Sequence, residues 1–390
     1  MSDFESYSVL LKDSAVASTR EHLSWVSGQE HMGVAASGGG TADVTCDIQH
    51  EYETLKGYSA VLNPSALKKL DSCGDVELIF KNTMVTHCAD APMNILTQTD
   101  APWGLQRVSQ QGPLPADSIA AALTYQYRRT PPGLQKTPVD VYVLDTGVMT
   151  EHEEFEGRAT WGWTYPGGPN ADGHGHGTHV AGTIGGRQFG VAKDVNIIAV
   201  KVLDDNGRKL SDSIQLGIDW VMQRHTRQQL EGNKRASIIN MSLRTEANPI
   251  LDSFANRAVS KGIHVVVAAG NDSGIAREWS PARAQNVTTV GGTTIKDEWY
   301  RLSNAGDAVN ILGPAVDVVS AGTAANNARA TMSGTSMATP HVVGVLAWLI
   351  SQQGDSTPEE LLAQLQNMAI NNVVTGVPAN TVNRLLNNGL

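Results

Sequence analysis

The fold is indicated first by the nine residues from Val139 to Gly147, which read VDVYVLDTG. The mostly apolar run that ends at Leu144 has the length and the β-branched content of a buried strand. A strand of this kind is typical of a mostly parallel sheet that helices cover on both faces. Asp145 follows the strand directly, so its carboxylate is expected at one edge of that sheet.

The residues around this strand continue the alternation of strands and helices. Further buried strands are predicted at 195–202, 237–242 and 263–268, with helices at 211–225 and 250–260. Ser211 is the predicted N-cap of the first of these helices. The pattern predicts an α/β domain with a doubly wound, mostly parallel sheet.

A smaller α+β unit is predicted before residue 88. Strands are expected at 7–11, 45–48, 57–62 and 75–80, helices at 18–26 and 64–70, and a Gly-rich loop at 37–40. The order β-α-β-β-α-β is that of the split βαβ, or ferredoxin-like, arrangement. Residues 88–138 are loop-like.

Composition and charge exclude several classes of function. The formal net charge is −10 without a long basic run, which argues against a nucleic-acid partner. No apolar stretch approaches the ~20 residues that span a bilayer, so no membrane partner is predicted. The only cysteines are Cys46, Cys73 and Cys88, and the N-terminus has no leader pattern. These features favour free thiols and an intracellular protein, with a secreted protein that has lost its leader as the alternative.

Three short motifs in the α/β region contain the candidate catalytic residues. They read DTG from Asp145, HGTHVAG from His176 and GTSMATPH from Gly334. A serine hydroxyl needs an adjacent base to become a good nucleophile, and a carboxylate can orient an imidazole base. Taken alone, Asp145 fits a turn cap, His176 a loop residue and Ser336 a helix N-terminus. Together and in this order they indicate a Ser-His-Asp hydrolase.

In these motifs and their order the sequence resembles the subtilisin superfamily, and within it the proteinase K-like group. The segments TQTDAPWGL from Thr97, KVLDDNG from Lys201 and NMSL from Asn240 are similar to that group as well. The resemblance implies a serine endopeptidase with a subtilisin-like sheet. It also implies an inhibitory and chaperone prodomain over 1–88, a processing linker over 89–97 and a catalytic domain over 98–390. Self-cleavage is expected between His87 and Leu96.

The resemblance assigns a role to each motif residue. Ser336 corresponds to the nucleophile, His176 to the general base and Asp145 to its orienting partner. The segment that ends at Asn271 matches the oxyanion segment of the family, so its side-chain amide would act with the Ser336 backbone N–H. An ordinary turn is the alternative for Asn271.

The resemblance also implies where a substrate peptide pairs as an added strand. One edge of this cleft is formed by Ser242, Leu243 and Arg244, the other by Gly207, Arg208 and Lys209, and the primary pocket lies between Ala268, Ala269, Gly270 and Trp279. The pocket is expected to favour apolar or aromatic side chains broadly. Arg244 stands where the family has glycine, and Arg208 and Lys209 stand in a stretch that is usually rich in Gly and Ser. These cations predict a preference for acidic residues upstream of the cut, with solvent-directed cations as the alternative.

No cofactor is implied, and calcium binding is predicted to be weak or absent. Relatives hold calcium with two carbonyls, at the positions of Gln285 and Val287, and with a carboxylate where this chain has Asn310. The spacing of His174, His176 and His179 is not that of a zinc-binding helix pair, so no metal site is predicted.

Two other classes of function fit parts of the sequence. A catalytically silent binding module fits if Arg244 blocks the cleft, and a protein that acts mainly as an inhibitor fits the N-terminal unit. A lipase or esterase does not fit, because the chain order differs and the Gly-x-Ser-x-Gly motif is missing. The sequence favours a self-processing endopeptidase that acts as a monomer on polypeptides, with its own prodomain as inhibitor.

Overall fold

The computed structural model describes residues 5–12, 14–15, 19–26, 46–52, 56–82, 95–115, 123–129, 136–233 and 235–390. These residues belong to two compact units, Met1–Asp90 and Ala91–Leu390. The predicted loop at 37–40, Cys88 and residues 87–94 of the predicted cleavage region lie outside the described residues. The predicted domain boundaries at 88 and 97 stay predictions.

The N-terminal unit contains a four-stranded antiparallel sheet and two helices. Its elements are β1 (Glu5–Leu11), α1 (Thr19–Val26), β2 (Cys46–Glu51), β3 (Gly57–Leu62), α2 (Pro64–Asp71) and β4 (Val76–Lys81). The strand order β2-β3-β1-β4 confirms the predicted split βαβ arrangement. At the start of α2 the Asn63 side chain accepts a hydrogen bond from the Ala66 backbone N–H (2.8 Å), and Pro64 occupies the first turn.

The C-terminal unit contains the remaining strands and helices. They are β5 (Ile95–Gln98), α3 (Trp103–Val108), β6 (Tyr125–Arg128), β7 (Val139–Asp145), β8 (Ala159–Thr164), α4 (His176–Gly185), β9 (Asn196–Lys201), α5 (Ser211–Leu230), β10 (Ala236–Met241), β11 (Thr245–Glu246), α6 (Pro249–Ser260), β12 (His264–Ala268), β13 (Trp279–Ser280), β14 (Thr288–Thr293), β15 (Ile311–Pro314), β16 (Val318–Ala321), β17 (Arg329–Met332), α7 (Thr335–Gln353), α8 (Pro358–Met368), β18 (Ile370–Asn371) and β19 (Arg384–Leu385).

The central sheet of this unit has the strand order β18-β19-β15-β14-β12-β10-β7-β9-β8. Its neighbouring strands are parallel, except for the antiparallel pair β18 and β19. In β7, Val141 and Val143 belong to the core shared with α4 and α7, whereas Tyr142 and Leu144 belong to the core shared with α5 and α6. Burial on both faces explains the apolar runs in the sequence and confirms the doubly wound α/β fold.

Two predictions about α5 are wrong. The helix runs to Leu230 rather than ending at residue 225, because its polar last turn is anchored by Gln228, which donates from Nε2 to Asp140 Oδ2 (3.1 Å). Leu210, not Ser211, occupies the N-cap position, and its side chain makes no capping bond. The Ser211 hydroxyl instead accepts a hydrogen bond from Asn248 Nδ2 (3.0 Å).

The topology brings the candidate segments to one edge of the sheet. Strands β12, β10 and β7 are adjacent and parallel, so their carboxyl ends lie side by side. Asp145 ends β7, Ser242 follows β10, and Asn271 lies three residues beyond β12. The remaining two candidates lie at helix starts: His176 is the first residue of α4, and Ser336 is the second residue of α7.

Candidate active site

Asp145 and His176 form a close pair. Asp145 is fully buried, and its Oδ1 lies 2.7 Å from His176 Nδ1, which is the geometry of an Nδ1–H donating to the carboxylate. The same oxygen accepts the Thr146 backbone N–H (2.7 Å). This arrangement fixes the tautomer with a free Nε2, because the proton is held on Nδ1. The imidazole keeps 20% of its surface accessible and can therefore reach a substrate.

Gly147 and Gly177 allow this close approach. A Cβ atom on Gly177 would lie 2.0 Å from the Gly147 carbonyl oxygen and 3.1 Å from Asp145 Cβ. Gly147 itself has φ of +111°, a conformation that side-chain-bearing residues rarely adopt. The small residues in the DTG and HGTH motifs thus permit contact between the end of β7 and the start of α4.

Asp172 organises the first turn of α4 and was missed in the sequence. It is 8% exposed, and its Oδ1 accepts from Thr146 Oγ1 (2.8 Å), Gly175 N (2.8 Å) and His174 N (3.2 Å). Its Oδ2 accepts from Thr178 N (2.9 Å) and Thr178 Oγ1 (2.6 Å). A carboxylate is favourable beside a helix N-terminus, where backbone N–H groups lack helical partners. An acidic residue four positions before His176 was the available signal.

Ser336 lies in the first turn of α7, where its backbone N–H has no partner within the helix. Its hydroxyl donates to the Ser242 carbonyl oxygen (3.1 Å), and Ser242 Oγ donates in return to the Ser336 carbonyl oxygen (2.9 Å). Within residues 136–233 and 235–390, no hydrogen bond joins Ser336 Oγ to His176. The candidate nucleophile is therefore placed beside the cleft but bonded to its wall.

Asn271 is held with its side-chain oxygen turned inwards. That oxygen accepts from the Thr335 backbone N–H (2.8 Å) and from Thr335 Oγ1 (3.0 Å). Thr335 is fully buried, and its Oγ1 also accepts from the Gly270 N–H (3.2 Å). Because the oxygen is occupied, the Nδ2 amide is left to point toward Gly334, where a Cβ atom would lie 3.2 Å away. The amide is a donor beside Gly334, two residues before Ser336.

Both predicted substrate edges line one cleft of about 670 Å³, together with His176. The lining residues include Gly207, Arg208, Lys209, Ser242, Leu243 and Arg244. Ala268, Ala269 and Gly270 are buried, and Trp279 is half-buried. The structure thus brings the two edges and the candidate base to one groove.

Two of the three cations that the sequence singled out have partners within the chain. Arg244 Nη2 donates to Asp272, and its guanidinium lies 4.0 Å from the Trp279 ring centroid. Lys209 Nζ lies 4.1 Å from the Tyr165 ring centroid. Arg208 is exposed, and its backbone N–H donates to Asp204 Oδ1 (3.0 Å). Asp272 compensates the charge of Arg244, whereas the Tyr165 ring only holds the Lys209 ammonium in place.

The histidines of the motifs differ in their electrostatics. Burial opposes the charged form of His176, but the Asp145 carboxylate outweighs it, and the pKa of His176 is raised. Burial lowers the pKa of His179 to about 4, and its Nε2–H donates to the Val318 carbonyl oxygen (2.9 Å). Burial likewise lowers the pKa of His341 to about 4. His174 packs beside Gly207, and its ring centroid is 6.2 Å from that of His176.

The residues at the implied calcium position make other contacts. Asn310 Oδ1 accepts the Thr289 backbone N–H (2.7 Å), and the Asn310 backbone N–H donates to the Thr289 carbonyl oxygen (2.9 Å). Across the described ranges, no group of three His, Cys, Asp or Glu side chains is arranged to hold a metal ion. No helix in the described part of the chain is long and apolar enough to cross a membrane.

Comparison with known proteins identifies the family. A model described as the subtilase family matches residues 137–389, and a model described as peptidase inhibitor I9 matches residues 6–87. The chain belongs to the subtilase family. The predicted family, fold class and enzyme class are confirmed, and this subtilase is a serine endopeptidase that carries an inhibitor propeptide.

Similar proteins cover most of the chain. Subtilisin-like serine protease Pen ch 18 of Penicillium rubens is 34% identical, over 99% of this chain and 80% of that protein. Alkaline protease 2 of Aspergillus fumigatus is 36% identical, over 86% of this chain and 69% of that protein. A crystal structure of a cold adapted subtilisin-like serine proteinase superposes with a TM-score of 0.64 at 38% identity, covering 74% of this chain and 98% of that chain.

Proposed function

We propose that this subtilase hydrolyses peptide bonds by acyl transfer, with Ser336 as nucleophile, His176 as general base and Asp145 as orienting carboxylate. The observation that carries the proposal is the 2.7 Å contact between His176 Nδ1 and Asp145 Oδ1, in a groove whose wall binds the Ser336 hydroxyl. A buried carboxylate beside an accessible imidazole is the arrangement that general base catalysis requires.

The reaction begins when the Ser336 hydroxyl leaves the Ser242 carbonyl oxygen and turns to His176 Nε2. His176 accepts the proton while Ser336 Oγ attacks the scissile carbonyl carbon, and the resulting imidazolium is stabilised by Asp145. The imidazolium then protonates the departing amine as the C–N bond breaks. Water, deprotonated by the same imidazole, hydrolyses the acyl-enzyme and frees Ser336.

Asn271 Nδ2 and the Ser336 backbone N–H supply the two donors for the oxyanion. Thr335 orients the amide before substrate arrives, so no reorganisation is needed when negative charge develops. The Asn271 interpretation is favoured over an ordinary turn because both anchoring bonds use the side-chain oxygen and leave the amide free to donate.

The primary pocket is proposed to favour apolar side chains. Ala268 and Ala269 are buried, Gly270 adds no side chain, and Trp279 supplies an aromatic surface. Arg208 is the main remaining source of the predicted preference for acidic residues upstream of the cut. A peptide library that shows no such enrichment for the wild type over Arg208→Gly would contradict that part.

The propeptide is proposed to inhibit the mature enzyme, to assist its folding and to be removed by self-cleavage. The family model that matches residues 6–87 supports the inhibitory role. The intracellular location and the monomeric state stay predictions. Cys46 and Cys73 are free thiols, as an intracellular protein permits.

The mature enzyme is proposed not to depend on calcium at the Asn310 position. Its side-chain oxygen is already engaged by the Thr289 N–H, and an amide lacks the charge that calcium prefers. The melting temperature of the mature form should therefore be the same with a chelator as with added calcium. A sharp decrease in chelator would contradict the proposal.

An active-site probe tests the catalytic assignment directly. A fluorophosphonate reacts only with an activated serine, so we expect it to label Ser336 and to be mapped there by peptide mass spectrometry. His176→Ala should abolish labelling, whereas His174→Ala, a neighbouring histidine with no contact to Asp145, should preserve it. Absence of labelling in the wild type would favour the silent binding module.

A further inference from the structure

The Arg244 side chain crosses one end of the substrate cleft. Arg244 directly precedes β11, which pairs with β13 so that Glu246 faces Trp279 and fixes the backbone beside the tryptophan. The guanidinium lies 4.0 Å from the Trp279 ring centroid, and Cδ lies 3.2 Å from the place where Gly270 would carry a Cβ atom. The side chain therefore extends between Gly270 and Trp279, two residues of the proposed primary pocket.

The far end of Arg244 meets a partner that is itself fixed. Asp272 accepts the guanidinium Nη2–H, and buried Asn304 holds Asp272 through two bonds. Asn304 Oδ1 accepts the Asp272 N–H (3.0 Å), and Asn304 Nδ2 donates to Asp272 Oδ2 (3.1 Å). Asn304 Nδ2 also donates to the Ala269 carbonyl oxygen (3.0 Å), so the partner belongs to the wall of the pocket. We name Arg244, Asp272 and Trp279 the Arg244 clasp.

In the Arg244 clasp the guanidinium has two contacts, one with the Trp279 ring and one with the Asp272 carboxylate. An ion pair or a cation–π contact is weak alone at an exposed site. Arg244 is 39% exposed along its side chain, but a substrate group that displaces it must break both contacts at once. The clasp is also neutral as a unit, because Asp272 compensates the charge of Arg244.

We propose that Arg244 is a specificity-determining residue that restricts the primary pocket to small and medium-sized apolar side chains. This inference rests on the proposed function and deepens its specificity. An aromatic substrate side chain would need the face of Trp279 and the space that Arg244 occupies. An alanine or leucine side chain needs less of the Trp279 face and less of the space that Arg244 occupies. A glutamate side chain gains little, because Asp272 already uses the guanidinium.

Substitutions in the clasp should change the specificity in two different directions. Arg244→Gly frees the tryptophan face, so the ratio of kcat/KM for phenylalanine over alanine should rise about ten-fold or more, the scale of steric discrimination in apolar pockets. Asp272→Asn leaves the guanidinium uncompensated, so the ratio for glutamate over alanine should rise. Arg277→Gly is the matched control, because it removes an exposed arginine that pairs with Asp307 near Trp279. Neither ratio should change in that variant.

Peptide p-nitroanilides that differ only in the residue before the scissile bond provide the measurement. We expect the mature wild type to cleave the alanine and leucine substrates with higher kcat/KM than the phenylalanine substrate. A wild type that prefers phenylalanine overturns the inference even if Arg244→Gly does not fold. An active Arg244→Gly enzyme with an unchanged ratio also overturns it, while leaving the proposed function intact. A wild type that cleaves no substrate and takes no fluorophosphonate overturns the proposed function, and the inference with it.

Discussion

Replacing Asp172 by asparagine should disturb the active site without touching a proposed catalytic residue. An amide oxygen can replace one carboxylate oxygen, but the NH₂ group that replaces the other cannot accept a hydrogen bond. If the amide oxygen keeps the bonds to Thr146, His174 and Gly175, the Thr178 backbone N–H loses its acceptor. The substitution also removes a negative charge beside the first turn of α4.

The size of the effect follows from these two losses. A buried N–H without a partner costs about 1–3 kcal/mol, and a charge at a helix N-terminus contributes about 0.3–1 kcal/mol, up to ~2 when partly buried. The free energy of unfolding should therefore fall by about 1–5 kcal/mol. At a slope of about 3 kcal/mol per molar urea, the midpoint should fall by about 0.4–1.7 M. Because His176 begins α4, a small displacement of its ring should lower kcat/KM by about 10²-fold.

Tryptophan fluorescence during urea unfolding measures the first quantity. Trp25 is the only one of the eight tryptophans before residue 91, so the signal reports mainly the C-terminal unit. The comparison should be made in a Ser336→Ala background, which prevents self-cleavage. Asp212→Asn is the matched control, since Asp212 is an exposed acidic residue in the first turn of α5. This control loses only the helix-terminus charge, which is worth about 0.3–1 kcal/mol, and leaves no buried N–H without an acceptor. Equal midpoints for the two variants would refute the reasoning.

Three further variants test the site. Asp145→Asn should lower kcat by about 10⁴-fold. Because Asp145 raises the pKa of His176, the acid limb of the residual pH profile of kcat/KM should also move to lower pH. An acid limb that does not move would count against the pairing of Asp145 with His176. Thr335→Val removes one of two bonds to the Asn271 oxygen, so kcat should fall about ten-fold with KM little changed, less than the ~10²–10³ expected for Asn271→Ala. A kcat equal to that of the wild type would contradict the anchoring role. The pKa of buried His341 is about 4, below the ordinary value of 6.5, so its contribution to stability is complete above pH 6.5 and is lost as pH falls toward 4. Urea midpoints should therefore decrease more from pH 7 to pH 4.5 in the wild type than in His341→Gln, and equal decreases would contradict this.

Patterns that depend on burial were readable from the sequence. The strand Gly57–Leu62 and the start of the strand at Val139 have the predicted bounds, because apolar runs between polar turns report burial directly. The place of Asp145 was predictable because parallel strands deliver their carboxyl ends to one edge. The last turn of α5 was not, because its anchor, Gln228, is a polar residue whose partner lies 88 positions away.

Features that depend on side-chain direction were not readable. Nothing periodic marks Asp172, which acts through five hydrogen bonds from four residues. Arg244 was visible as a departure from the family pattern, but its partner Asp272 and its position over Trp279 follow from tertiary packing. The bond from Ser336 to the Ser242 carbonyl oxygen likewise follows from tertiary packing.

The intact masses of the purified wild type and of Ser336→Ala, prepared side by side, test most directly the claim that Ser336 is the nucleophile of a working triad. We expect the wild type to separate into two pieces at a bond between His87 and Leu96, while the variant stays whole. A variant that is cut at the same bond, under conditions in which no other protease is present, would contradict the claim.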